Sequence, residues 1–528
     1  MKWQRILPIL LLSTATAFGQ GDSWKANFDN KPDFLLYETE GGRHLVGTTK
    51  RDICVLDGKT GEKVWSATFN DLAGAKTVES QSIMEEAGVI FLSDKRMGKD
   101  NIFCVDLENG KLLWQTSDFQ NVSISNTVYF PDLSSFAIIT KDGLVTLDAQ
   151  TGKQLWAQPR FKGAIAHNVY IPGSNELVLV NFKTGLGALF SGFKNQLMRI
   201  NASTGELVWE SEYRGMVPTT YYGGSPLTDL SISGNRIFCL ISGMQVFDFE
   251  TGMKVWDADF ELYDYKVGLG SETYVYGGIP RPLVVGDDIY IVRVKHASPK
   301  VFIEKRNVID GQVYWSTQME SKPDAIPQIE LVDGKLVFQL GGEVVVDRKT
   351  SSEFVRKREW MSPFRVETYD AATGKFLWKT SKLKKRITNP VVVDNVVYVA
   401  DASSFYALDL ATGATINEKK LKEFKVGEAK EFHLHGDKIG ILGEKGFAMI
   451  NKDFKTEYFV KMKEPYSECL VKGGNILMMN KKEMQVIDLD TGKELMSSKR
   501  EKNTRFSFSP DGSYIVTMGP KGVQRYSL

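Results

Sequence analysis

His433 and His435, in EFHLHGDK, are the side chains whose spacing first suggests chemistry in this 528-residue chain. Positions two apart on a strand share one face, so two imidazoles could enter one metal shell. No third ligand can be named, and the pair reads more simply as part of a solvated strand. GLGALFSG (185–192) is rich in glycine. It lacks the lysine of a phosphate loop and the spacing of a dinucleotide fingerprint. SPDGSYIV (509–516) contains Asp511-Gly512. That is a hairpin turn first, because the further carboxylates of a calcium loop are missing. Cys54, Cys104, Cys239 and Cys469 lie far apart, with no CxxC. They offer no redox or zinc motif and read as buried free thiols, with a bridge between some pair left open.

The bulk composition excludes other classes. Lys+Arg 66 against Asp+Glu 65 gives a net charge of +1, which provides no bulk attraction to nucleic acid or anionic membrane. The N-terminus, MKWQRILPILLLSTATAFGQG, places Lys2 and Arg5 before an apolar run at 6–12, then small residues at 15–19. This order predicts a cleavable signal peptide over 1–19. No cysteine follows the apolar run, so no N-terminal lipid is expected. No other run of about 18 apolar residues occurs, so no transmembrane segment is expected either. The mature chain is expected in the periplasm or secreted.

The elements that position these residues form a repeat. Its turn glycines are Gly61, Gly110, Gly152, Gly205, Gly252, Gly311, Gly374, Gly413 and Gly492. Four residues earlier stands Asp57, Asp106, Asp148, Asn201, Asp248, Asn307, Asp370, Asp409 or Asp488. Four residues later stands Trp65, Trp114, Trp156, Trp209, Trp256, Trp315 or Trp378; the last two copies have Asn417 and Met496. A worn tenth copy runs over 446–461. The Asp or Asn caps amides inside the turn, and glycine supplies the positive φ of a type I turn with a bulge. Each copy is therefore a β-hairpin. A second hairpin signal precedes most copies, as in ISGNRIFCL (232–240) and VVDNVVYVA (392–400). Four short strands per unit, at about 40–50 residues, is the period of a propeller blade.

The pattern resembles the quinoprotein-type (PQQ-like) repeat, A-x-D-x-x-T-G-x-x-x-W, over about residues 22–528. The resemblance implies an all-β propeller of four-stranded blades, about ten to eleven modules, spanning 20–528. It implies that the Trp docks one blade on the next. DSWKANFD resembles KVWSATFN, so Trp24 is expected on a strand that completes the C-terminal blade and closes the ring, as an eighth docking Trp. One large ring is the expectation and two rings the alternative.

Function is sought in departures from the repeat. These are 183–194, 343–363 with Trp360, and the pair TTYYGGSP (219–226) and TYVYGGIPRP (273–282). Tyr222, Tyr276, Arg281 and Trp360 are the candidate partner-binding residues, since aromatic and Arg clusters suit protein recognition. Quinone-dependent dehydrogenases of the resembling family hold pyrroloquinoline quinone and Ca²⁺ with a catalytic Asp, often beside adjacent cysteines. No stretch here aligns with that set, and no catalytic or metal residue is assigned. The expectation is a non-catalytic, cofactor-free scaffold for envelope or secreted proteins. In this it resembles the propeller subunit of the outer-membrane β-barrel assembly machinery. The alternatives are a PQQ/Ca-dependent dehydrogenase or its cofactor-binding relic, and a carbohydrate- or polymer-binding propeller.

Overall fold

The computed structural model describes residues 23–27, 35–39, 42–94, 100–183, 193–215, 228–268, 271–294, 300–350, 353–466, 468–500, 504–509, 511–519 and 522–528. The expected signal peptide, most of the 183–194 departure, and Tyr222 with its loop lie outside these residues. The described chain is all-β apart from short helical turns such as Phe69–Ala73 and Leu421–Phe424. It forms antiparallel sheets of four strands, and one of six.

The repeat turn shows why these residues fold this way. In the copy at 404–420, Asp409 Oδ1 accepts from the amides of Ala411 and Thr412 at 3.1 and 2.8 Å, and from the Thr412 hydroxyl at 2.7 Å. Gly413 N then donates to Asp409 O at 2.8 Å, at φ +72°. The register shifts between Ala407 and Leu408, the bulge that such a turn imposes.

The chain divides into two compact units. The first holds 1–212, 468–488 and 494–528. In it the first strand, Trp24–Asn27, is the outer strand of the last sheet and pairs antiparallel with Gly522–Ser527, Trp24 opposite Arg525. Trp24, Ala26, Leu45, Leu56, Tyr514 and Val516 are buried together between this sheet and the one at 35–68. Each such aliphatic side chain contributes about 1.5–3 kcal/mol by leaving water. The Arg525 guanidinium lies 3.8 Å from the Tyr514 ring centroid, and the Tyr514 hydroxyl donates to Glu38.

The second unit holds 213–467 and 489–493, and it contains the six-stranded sheet. Two of its strands are far longer than a blade strand, Lys335–Thr350 and Phe354–Asp370. Their inner halves pair with Gln328–Val332 and Phe376–Lys379, as in an ordinary four-stranded sheet. A register shift between Leu340 and Gly342 separates these from the outer halves. The outer half of Lys335–Thr350 pairs with Ser271–Tyr276, which pairs in turn with Tyr263–Gly268. The departures at 343–363 and 273–276 are thus one appended sheet.

Candidate functional site

The tryptophans at the repeat position are occupied with the neighbouring copy's turn. Trp24, Trp65, Trp114, Trp156, Trp256, Trp315 and Trp378 donate through Nε1 to the carbonyl that follows the next copy's Asp or Asn, at 2.8–3.2 Å. Each ring also lies on the turn glycine: a Cβ there would stand 2.3–2.6 Å from the indole. Tyr458 holds the same place in the worn copy. Its hydroxyl donates to Leu489 O at 2.7 Å, and its ring covers Gly492. Trp209 sits half-buried opposite Arg199, at the equivalent register position.

The appended sheet carries two of the candidates, Tyr276 and Trp360. Pairing register puts Tyr263, Tyr274, Tyr276, Arg356, Arg358 and Trp360 on one face. The Tyr274 and Tyr276 rings stack at 6.2 Å, and Tyr263 stacks on Tyr276 at 5.6 Å. Tyr276 is buried in this ladder. The opposite face carries Val275, Val344 and Val346, which pack on Ala325 and Met361. Cross-strand ion pairs set the register: Arg356 grips Asp347 with two bonds of 2.8 Å. Arg348 grips Glu359, with one bond at 2.7 Å, and holds its carboxyl below the usual range. Trp360 is half-buried, with the Arg386 guanidinium 5.4 Å from its ring centroid and Phe364 edge-on. Arg386 is fixed by Glu428 and Glu444 at 2.5 and 3.3 Å. In the basic stretch at 382–386 Leu383 is buried, and Arg386 ties Trp360 of the appended sheet to Glu428 and Glu444. Arg281 stands apart, half-exposed and paired with Asp229 at 2.6 Å.

The histidine pair departs from the solvated strand expected of it. Burial pushes the His433 imidazole down to about 4, so it is neutral at pH 7. His435 Nε2 lies 2.8 Å from Asp490 Oδ1. Among the described residues, no group of three His, Cys, Asp or Glu side chains is placed to hold a metal ion. All four cysteines are free thiols, three of them buried; Cys469 is half-buried. Burial pushes Cys54 and Cys239 up to about 12, which makes them inert as nucleophiles. In the first unit a cavity of about 160 Å³ lies beside the last sheet, lined by Lys25, Lys499, Thr517 and Tyr526. That is well below the roughly 300–1,000 Å³ of small-molecule sites. Sequence reasoning missed Tyr458 as a ring contact. The signal was Gly492, which stands where Gly61, Gly110, Gly152, Gly205, Gly311, Gly374 and Gly413 each have a tryptophan of the preceding copy upon them.

Three comparisons bear on this geometry. A family model described as outer membrane protein assembly factor BamB matches residues 17–160 and 141–419. The match stops where the sequence loses its repeat tryptophans, at Asn417 and beyond. No curated protein matches the chain significantly. Among solved structures, BamB from Moraxella catarrhalis is 13% identical, covering 82% of this chain and 97% of that one, with a TM-score of 0.26. The computationally designed Ika8 protein is 11% identical over 69% and 96%, with a TM-score of 0.34. A eukaryotic initiation factor is 12% identical over 75% and 93%, with a TM-score of 0.34.

Proposed function

The chain belongs to the family of the outer membrane protein assembly factor BamB, and from that membership we propose that it is a β-propeller scaffold of the periplasm or secreted space that binds other envelope or secreted proteins. The observation that carries this reading is the appended sheet. Where the chain departs from its repeat, it builds an ion-paired sheet with exposed cations and an exposed Phe354. The repeated Asp and Trp residues serve turns and neighbouring copies. The scaffold requires no cofactor and turns over no substrate.

A photo-crosslinker placed at Lys349 or Phe354 in cells tests this. Discrete adducts with envelope proteins are expected, and their absence from every exposed position tried would sink the scaffold. A parallel titration with pyrroloquinoline quinone and Ca²⁺, followed by Trp fluorescence, is expected to show no saturation at micromolar concentration. Tight Ca²⁺-dependent binding would replace the scaffold with a quinone-dependent dehydrogenase.

A further inference from the structure

The repeat does not account for the free edge of the Phe354–Asp370 strand. Over 354–361 this strand pairs with Lys335–Thr350 on one side, and on the other no strand pairs with it among the described residues. A free edge is an open row of N–H and C=O groups, which proteins ordinarily keep short, cover or charge. This one carries three cations, Arg356, Lys357 and Arg358, against the single carboxylate Glu359. Arg356 and Arg358 alternate on the tyrosine face. Asp347 and Glu343 hold them from inside the sheet, yet their side chains stay 46% and 66% exposed. Lys357 is exposed and forms no ion pair among the described residues. Phe354, at the outer end, is 58% exposed. Behind the edge the Arg356–Asp347 and Arg348–Glu359 pairs tie the strand to Lys335–Thr350, so the strand is already formed before a partner arrives.

Resting on the scaffold reading, we propose that this edge accepts an extended segment of a partner protein as a further β-strand, with acidic residues at alternate positions and an apolar residue reaching Phe354. Main-chain bonds supply affinity, and the Arg356/Arg358 spacing selects acids two residues apart. Charge on an edge also guards against self-association, and the test separates the two roles. The probes are fluorescein-labelled peptides of alternating valine and glutamate, or valine and lysine, titrated into the full chain at low salt and read by anisotropy. The glutamate peptide should bind and the lysine peptide should not. Arg358→Glu should weaken the former about five-fold with its melting temperature unchanged, and Arg358→Lys should retain it. Binding should slow amide exchange within 354–361 and leave 335–340 unaltered. Failure of the glutamate peptide to bind, or binding without protection of 354–361, overturns the proposal and leaves the charges as a guard. Protection that rises with protein concentration alone assigns the edge to a second copy and overturns it too. If Arg358→Glu still yields the same crosslinked partners in cells, the edge fails and the scaffold stands.

Discussion

Glycine at the repeat turn answers to two constraints at once. Gly413 has φ +72°, and a Cβ there would lie 2.5 Å from Trp378. Gly413→Ala should therefore cost roughly 3 kcal/mol, combining left-handed backbone strain with overpacking. Trp378→Phe, which gives up the bond to Leu410 O, should cost about 1 kcal/mol. Urea unfolding of the two variants checks the order. The turn aspartates add a pH dependence. The Thr412 hydroxyl and amide hold Asp409 below the usual carboxylate range, and the Ser509 hydroxyl brings Asp511 to about 2. A carboxyl lowered by folding stabilises the fold above its unfolded pKa, and that stability is lost as pH falls through the folded value. The melting temperature should hold between about pH 7 and 5 and drop between about pH 4 and 2. Asn201 already makes the same bonds, from Ser203 and Thr204 N, without a titrating group. Asp409→Asn should therefore keep neutral-pH stability and flatten part of that acid drop in pH-resolved melts. The sequence showed aspartate, glycine and tryptophan at fixed spacing. Their contact was legible only in how they vanish together: Asn417 precedes a turn without glycine, at 451–455, whereas Tyr458 precedes Gly492.

The appended sheet is the element the sequence concealed. Its two halves were visible separately, as an interruption at 343–363 and a tyrosine-rich loop at 273–282. Nothing local signals that Val275 pairs with Val346 across seventy residues. Strand pairing at that distance is decided by side chains that meet only after folding, here Arg356 with Asp347 and Arg348 with Glu359. Arg356→Ala leaves Asp347 nearly buried without this partner. It should speed amide exchange of 344–349 and 354–358 several-fold, with the exchange of 335–340 unchanged. Equal acceleration in both regions would mean that the outer and inner halves open as one. Arg386 is a second lesson. A basic run after an outer strand looks like solvated charge, yet one of its members is stacked on Trp360 and fixed by two glutamates.

At the scale of the molecule, the repeat determines much and the function little. Hairpin, turn and four-stranded sheet recur because each copy spells the same local instructions. No two copies need to differ for the fold, so the departures from the repeat are where the proposed binding function is placed. Trp24 shows how far the instructions reach, since one tryptophan in eight residues of resemblance placed the first strand beside the last. Trp24→Ala should cost about 3–5 kcal/mol in the first unit, read as early loss of exchange protection at 514–527.

That pairing also fixes an order of events. The Ser527 amide donates to the Ser23 hydroxyl at 3.0 Å, so the strand at 24–27 gains its ladder only once residues 522–527 have been made. Until then Trp24 can cover Gly61, but its backbone has no ladder. Through the synthesis of the residues between, the strand is an unpaired template, and a chain terminated before residue 522 never completes this sheet.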